Sequence, residues 1–147
     1  PKAEVWLDAT WSRADQTYTE GKPWHGKPIQ QMGNDIATAY DIAAKNARAT
    51  GVVPVGLAWN RAMASGVADD NPYDGIAPGK VNLWTHDSYH ASAFGYYLEA
   101  LMVFGKITGK DPLSLGDTET VAEDLGFSKA QTTALQKVAH DQLAASH

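Results

Sequence analysis

The chain has 147 residues, a length typical of one domain with its own hydrophobic core. Hydrophobic residues make up 44% of it and charged residues 20%, which is the composition of a folded globular protein and excludes a disordered one. Lys and Arg number 12 against 17 Asp and Glu, a net charge of −5, and the basic residues form no cluster. We therefore expect no nucleic-acid partner. No apolar run approaches the ~20 residues of a membrane span, so we expect no membrane partner either.

Two further features of the composition concern chemistry and the chain ends. The absence of cysteine excludes disulfides, thiolate metal ligands and cysteine nucleophiles. The chain enters an apolar segment by Val5, with no initiator Met and no signal-type apolar stretch before it. We expect position 1 to lie inside a longer protein, after cleavage or truncation.

The first half of the chain alternates predicted strands and helices. Residues 3–9 have the β-branched and aromatic content of a short buried strand, and residues 10–27 lack any periodicity, which predicts a long loop. Apolar side chains recur every three or four positions over 28–50, which predicts a helix that begins at a proline. A short β-branched run predicts a second strand over 52–56, and a short helix is predicted over 57–64.

The second half is predicted to be helical apart from a loop rich in turn-forming residues over 68–75. A helix over 92–108 carries one stripe of apolar side chains and ends at a glycine. Residues 113–147 predict two accessory helices, the second of which begins with the capping-box spacing of Ser128 and Gln131. The alternation predicts an α/β fold with a parallel sheet. Because two strands are too few for such a sheet, the sequence predicts part of a domain.

The segment from Asp87 to His90 is the clearest candidate for chemistry. A carboxylate three residues before a histidine on one turn can accept a hydrogen bond from the imidazole Nδ1–H. This leaves Nε2 free to take the proton of a serine hydroxyl, and the carboxylate stabilises the imidazolium that forms. Asp-x-x-His is also a common pattern, and the alternative is a loop aspartate that caps the next helix beside a partly packed histidine.

The residues around this pair resemble those of a known enzyme family. The pattern Asp87-x-x-His90, followed by small residues, Gly95 and a helix that ends in the sequence Thr-Gly-Lys-Asp-Pro over 108–112, is similar to the C-terminal block of the SGNH (GDSL-like) hydrolases. The order of the predicted elements extends the resemblance less specifically over residues 3–112. The segment after residue 112 lies outside it.

This resemblance implies a flavodoxin-like, three-layer α/β sandwich that hydrolyses an ester by a Ser-His-Asp mechanism and needs no cofactor. It assigns His90 as the general base and Asp87 as the residue that orients it. It also makes residues 1–112 the C-terminal part of the hydrolase domain and 113–147 an accessory helical tail. The chain departs from the family because no serine stands in a Gly-Asp-Ser setting and no oxyanion glycine or asparagine is found.

Because of this departure, we expect the serine to lie outside the chain and the chain alone to be inactive. We expect the incomplete sheet to pair with the missing N-terminal part or with a second copy of the chain.

Two tryptophans of the loop 10–27 are candidate substrate-binding residues. In the family that the chain resembles, loops at the carboxyl ends of the strands line the substrate cleft, and ligands of α/β proteins generally favour that edge. We therefore expect the loop that follows strand 3–9 to lie on the same edge as Asp87 and His90. We predict that Trp11 or Trp24 contacts the substrate, a small-molecule or carbohydrate ester, because an indole face suits the apolar face of a sugar. Packing against the domain is the alternative for both.

Two other classes of function stay open. The chain is a non-catalytic interaction or structural domain if Asp87 only caps its loop. It is a small metal-binding protein if His25, His86, Asp87 and His90 converge on a zinc ion. A spacing of four residues aligns His86 with His90 only on a helix, and the helix is predicted to begin after His90, so we predict no metal site.

Overall fold

Two short parallel strands and several helices make up the computed structural model, which describes residues 3–146. In chain order they are β1 (Trp6–Asp8), α1 (Ala14–Tyr18), α2 (Gln30–Ala47), β2 (Gly51–Val53), α3 (Val55–Ala64), α4 (Ala93–Thr108), a 3₁₀ turn (Pro112–Leu115), α5 (Thr120–Asp124) and α6 (Lys129–Ala145). The fold is therefore mixed α/β, as predicted, with far more helix than strand. No helix within the described range is long and apolar enough to cross a membrane.

The two strands pair in parallel, with Trp6 opposite Gly51 and Asp8 opposite Val53. Helix α2 connects them, which is the usual crossover of a β-α-β unit. Within residues 3–146 each strand has one neighbour, so the other edge of each carries backbone groups without a strand partner. The predicted count of two strands is thereby confirmed.

The hydrophobic core lies between α3, α4 and α6. Trp59 on α3 and Trp84 before α4 are fully buried and pack edge to face, with ring centres 5.4 Å apart. Both are therefore core residues, whereas Trp6 is only partly buried. Helix α6 contributes the buried side chains of Leu135, Val138 and Ala139 to the same core.

Helices α4 and α6 begin as the sequence predicts. The Ser92 hydroxyl accepts a hydrogen bond from the backbone N–H of Gly95, and Ser128 and Gln131 form the reciprocal bonds of a capping box. Gly109 ends α4 with φ of 68°, a left-handed conformation that favours glycine.

The observed elements differ from the predicted ones in several places. Residues 10–27 are not a continuous loop, because they contain α1, which is too short for a periodic apolar pattern. The second strand ends at Val53, and helix α3 begins two residues later because Pro54 has no N–H to extend the ladder. The helix predicted over 28–50 ends at Ala47, where Arg48 turns the chain with φ of 55°.

Candidate functional site

A tight turn over residues 85–90 brings Asp87 and His90 together. Asp87 Oδ2 lies 2.6 Å from His90 Nδ1. Asp87 Oδ1 accepts hydrogen bonds from the Thr85 hydroxyl at 2.7 Å and from the backbone N–H groups of Tyr89 at 3.0 Å and His90 at 2.9 Å. The imidazole first, and then these other donors, hold the pKa of Asp87 well below its usual range. The ionised carboxylate favours the tautomer of His90 that carries its proton on Nδ1.

The turn is fixed at both ends by backbone hydrogen bonds. The N–H of Thr85 donates to the carbonyl of His90 at 2.8 Å, and an isolated antiparallel bridge joins Trp84 to Ala91. Helix α4 begins just after this bridge. The His90 side chain is 58% exposed, so its Nε2 is open to a group that approaches from solvent.

A cleft of about 320 Å³ opens beside His90. It is lined by Thr10, Trp11, Arg13, Met32, Ile36, Tyr89, His90 and Tyr96. The Trp11 ring stacks on Trp59 with centres 4.6 Å apart and an angle of 5° between the planes, and the Tyr96 ring lies nearly perpendicular to Trp11 with centres 6.0 Å apart. The loop after β1 therefore lies beside the Asp87–His90 turn, and the cleft combines one imidazole with mostly apolar walls.

Trp24 lies elsewhere. Its indole N–H donates to the Asp35 carboxylate on α2 at 2.9 Å, and Trp24 does not line the cleft beside His90. The structure thus brings Trp11 to the Asp87–His90 pair but not Trp24.

The side chain of Arg13, just after β1, also reaches the Asp87–His90 turn. Its guanidinium carbon lies 3.7 Å from the centre of the Tyr89 ring, and that ring packs against the His90 ring with centres 4.2 Å apart. Two hydrogen bonds to Asp15, of 3.0 Å and 2.7 Å, hold the guanidinium in place. The sequence offers no signal for this role, because Arg13 and Tyr89 meet only through the fold.

All seven serines fall inside the described range, and none of them hydrogen-bonds to His90. Six of their hydroxyls are bonded to backbone groups elsewhere, namely those of Ser12, Ser65, Ser92, Ser114, Ser128 and Ser146. The seventh serine, Ser88, is buried in the turn itself. The Ser-His contact of a complete triad is therefore not formed among residues 3–146.

The four residues considered for a zinc site do not form one. Within residues 3–146, no group of three or more His, Asp or Glu side chains converges closely enough to hold a metal ion. Asp87 and His90 pair with each other instead, and neither His25 nor His86 completes a ligand set with them.

Comparison with known proteins adds no assignment. No protein-family model, curated protein or solved structure matches this chain.

Proposed function

We propose that this chain supplies the histidine and the aspartate of a Ser-His-Asp site that hydrolyses carboxylic esters. The observation that carries the proposal is the 2.6 Å contact between Asp87 Oδ2 and His90 Nδ1, beside a cleft and with Nε2 open. In this role Asp87 holds the imidazole in the tautomer that leaves Nε2 as the base. His90 then takes the proton of the serine hydroxyl and later gives it to the leaving alcohol.

The serine is proposed to come from polypeptide outside these 147 residues. The free edge of β1 supports this, because the chain leaves β1 directly into Thr10 and Trp11, which line the cleft. A further parallel strand paired with that edge would end at the same rim of the sheet and deliver its loop there. The segment preceding the chain is the proposed partner, and a second copy of the chain is the alternative. A wider sheet covered on both faces would form the three-layer sandwich that the resemblance implies.

The walls of the cleft support an ester whose bound part has an apolar face. Met32 and Ile36 of α2 and Tyr96 of α4 line it together with Trp11. One face of Trp11 is covered by Trp59, so only its other face can meet a substrate. A carbohydrate that carries an ester group fits this proposal, since the apolar face of a sugar packs on an indole.

A non-catalytic interaction domain is the second candidate. It is supported by the three hydrogen bonds that Asp87 Oδ1 accepts from Thr85, Tyr89 and His90, which stabilise the turn whether or not His90 reacts. Hydrolysis distinguishes the two candidates.

The test is the hydrolysis of short p-nitrophenyl esters by the protein that contains both this chain and the serine-bearing segment. We expect His90→Ala to lower kcat by on the order of 10³-fold or more. Asp87→Asn should also lower kcat, but by a factor about 10 to 100 times smaller than the factor for His90→Ala, because the base remains while its orientation is lost. His86→Ala is the matched control and should keep the wild-type rate. An unchanged rate in His90→Ala would reject the assignment of the base.

A further inference from the structure

Three contacts join the segment that follows β1 to the turn that carries Asp87 and His90, and a fourth joins it to Trp84, just before that turn. We call residues 11–15 the tether segment. Three of the contacts are hydrogen bonds: Trp84 Nε1 donates to the Ser12 carbonyl (2.8 Å), the Asp15 N–H to the Ser88 carbonyl (3.2 Å) and Trp11 Nε1 to the Tyr89 carbonyl (3.0 Å). In the remaining contact, the guanidinium of Arg13 lies over the Tyr89 ring, 3.7 Å from its centre. Three of the four therefore reach the residues between Asp87 and His90.

The turn needs such support because one of its residues is strained. Ser88 has φ of 56°, a left-handed conformation that non-glycine residues rarely adopt. A residue held there keeps that conformation only when its surroundings fix it. Ser88 lies between Asp87 and Tyr89, so its conformation directs the N–H groups of Tyr89 and His90 back to the Asp87 carboxylate. Relaxation of Ser88 would move His90 away from Asp87.

The tether residues that reach the turn are themselves immobilised. The Trp11 ring lies flat on the fully buried Trp59, which fixes the direction of its N–H. Arg13 is held by two hydrogen bonds to Asp15. A side chain whose own orientation is locked by packing and hydrogen bonds is well suited to position a reactive group.

We propose that Trp11 and Arg13 are positioning residues that hold the Asp87–His90 pair in its reactive geometry. This inference rests on the proposed hydrolytic function. Trp11 acts through the Tyr89 carbonyl and fixes the backbone of the turn. Arg13 acts through the Tyr89 ring, which contacts both the guanidinium and the imidazole and so limits the rotation of His90.

The first test uses this chain alone and reads the tautomer of His90 by ¹⁵N NMR at neutral pH. The wild-type chain is expected to carry the proton on Nδ1. Trp11→Phe keeps a ring against Trp59 but removes the N–H donor, and we expect the fraction of the Nδ1–H tautomer to fall and exchange of that proton to become faster. Trp6→Phe is the matched control. It removes an indole N–H bond to Glu4 at the other end of β1 and should leave His90 unchanged.

A second pair of variants keeps the proposal testable if Trp11→Phe does not fold. Arg13→Met removes the cation over Tyr89 and should shift the tautomer as Trp11→Phe does, whereas Arg13→Lys should restore part of the wild-type signal. Folding of each variant is checked by circular dichroism. A wild-type tautomer in folded Arg13→Met, and in Trp11→Phe where it folds, overturns the proposal.

The same variants in the protein that contains the serine separate this inference from the proposed function. A positioning role predicts that Trp11→Phe lowers kcat by about tenfold, in addition to any rise in KM from the lost contact of the indole face with the substrate. A fall in kcat/KM caused only by KM overturns the positioning role. Absence of esterase activity in the wild-type protein overturns the proposed function, and the NMR result on the chain alone still decides whether the tether holds the pair.

Discussion

At the scale of single residues, the protein moves the pKa values of two carboxyl groups in opposite directions. The hydrogen bonds to Asp87, first of all from His90, lower its pKa, so it is ionised and can hold an imidazolium. Burial, followed by the hydrogen bond and the charge of Asp8, raises the pKa of Glu99 on α4 to about 7. Asp8 Oδ1 is buried and has no hydrogen-bond partner among residues 3–146, as expected for a carboxylate beside a second carboxyl group.

The raised pKa of Glu99 predicts a pH-dependent stability. In the folded protein Glu99 releases its proton near pH 7, against 4.5 for its ordinary value, so the folded state binds this proton more tightly than the unfolded chain does. The free energy of unfolding therefore falls as the pH rises from about 4.5 to about 7. Glu99→Gln cannot ionise, and we expect it to be more stable than the wild type at about pH 8 by on the order of 1 kcal/mol, a value discounted for partial exposure.

Urea denaturation at about pH 4 and about pH 8 checks this expectation. The variant and the wild type should differ at the higher pH and converge at the lower one. Glu123→Gln, at an exposed position on α5, is the control. If the free energies of unfolding of Glu99→Gln and the wild type change in parallel with pH, burial and Asp8 do not raise the pKa of Glu99.

At the scale of elements, the junctions between strands and helices set the path of the chain through the site. The N–H of Gly56, in the first turn of α3, donates to the carbonyl of Ala9 at 2.9 Å. A Cβ at this glycine would overlap the Thr10 carbonyl. The close approach of α3 to the end of β1 thus fixes the position of the backbone that leads into Trp11. Trp11 in turn lines the cleft beside His90.

Gly56→Ala should therefore affect both stability and the site. Overpacking at this contact predicts a loss of about 1–3 kcal/mol in the free energy of unfolding. It should also displace Trp11, and the NMR signals of the Trp11 indole and of His90 should shift. Ala64→Ser, at the exposed end of the same helix, should cost less than about 0.5 kcal/mol and leave these signals in place. Equal stability of Gly56→Ala and the wild type would contradict the tight junction.

The elements that the sequence predicts well are those with local signals. Helix α4 has a periodic apolar face with Ser92 and Gly109 at its ends, and α6 has a capping box. Helix α1 and the early end of α2 at Arg48 were missed, because one short turn and one left-handed residue leave no periodic pattern.

At the scale of the whole molecule, a contact was predictable from the sequence only when its residues lie close together in the chain. The Asp87–His90 pair was predictable because both residues lie in one turn. The contact of Arg13 with Tyr89 was not, because the two residues lie far apart in the sequence and meet only in the folded chain. The rule that loops after parallel strands share one edge of the sheet placed both Trp11 and Trp24 near the pair, and it does not separate two residues of one loop.

Among residues 3–146, no strand pairs with the outer edge of β1 and no group hydrogen-bonds to His90 Nε2, and we give both observations one physical explanation. The edge and the imidazole would both be completed by one added strand whose loop carries a serine. The most direct measurement therefore uses a fluorophosphonate, a reagent that reacts with activated serines, to label the protein that contains both this chain and the serine-bearing segment. The modified residue is then mapped by mass spectrometry. The account predicts one labelled serine outside residues 1–147, with labelling abolished by His90→Ala. Labelling that persists in His90→Ala, or no labelled serine in the wild-type protein, would contradict it.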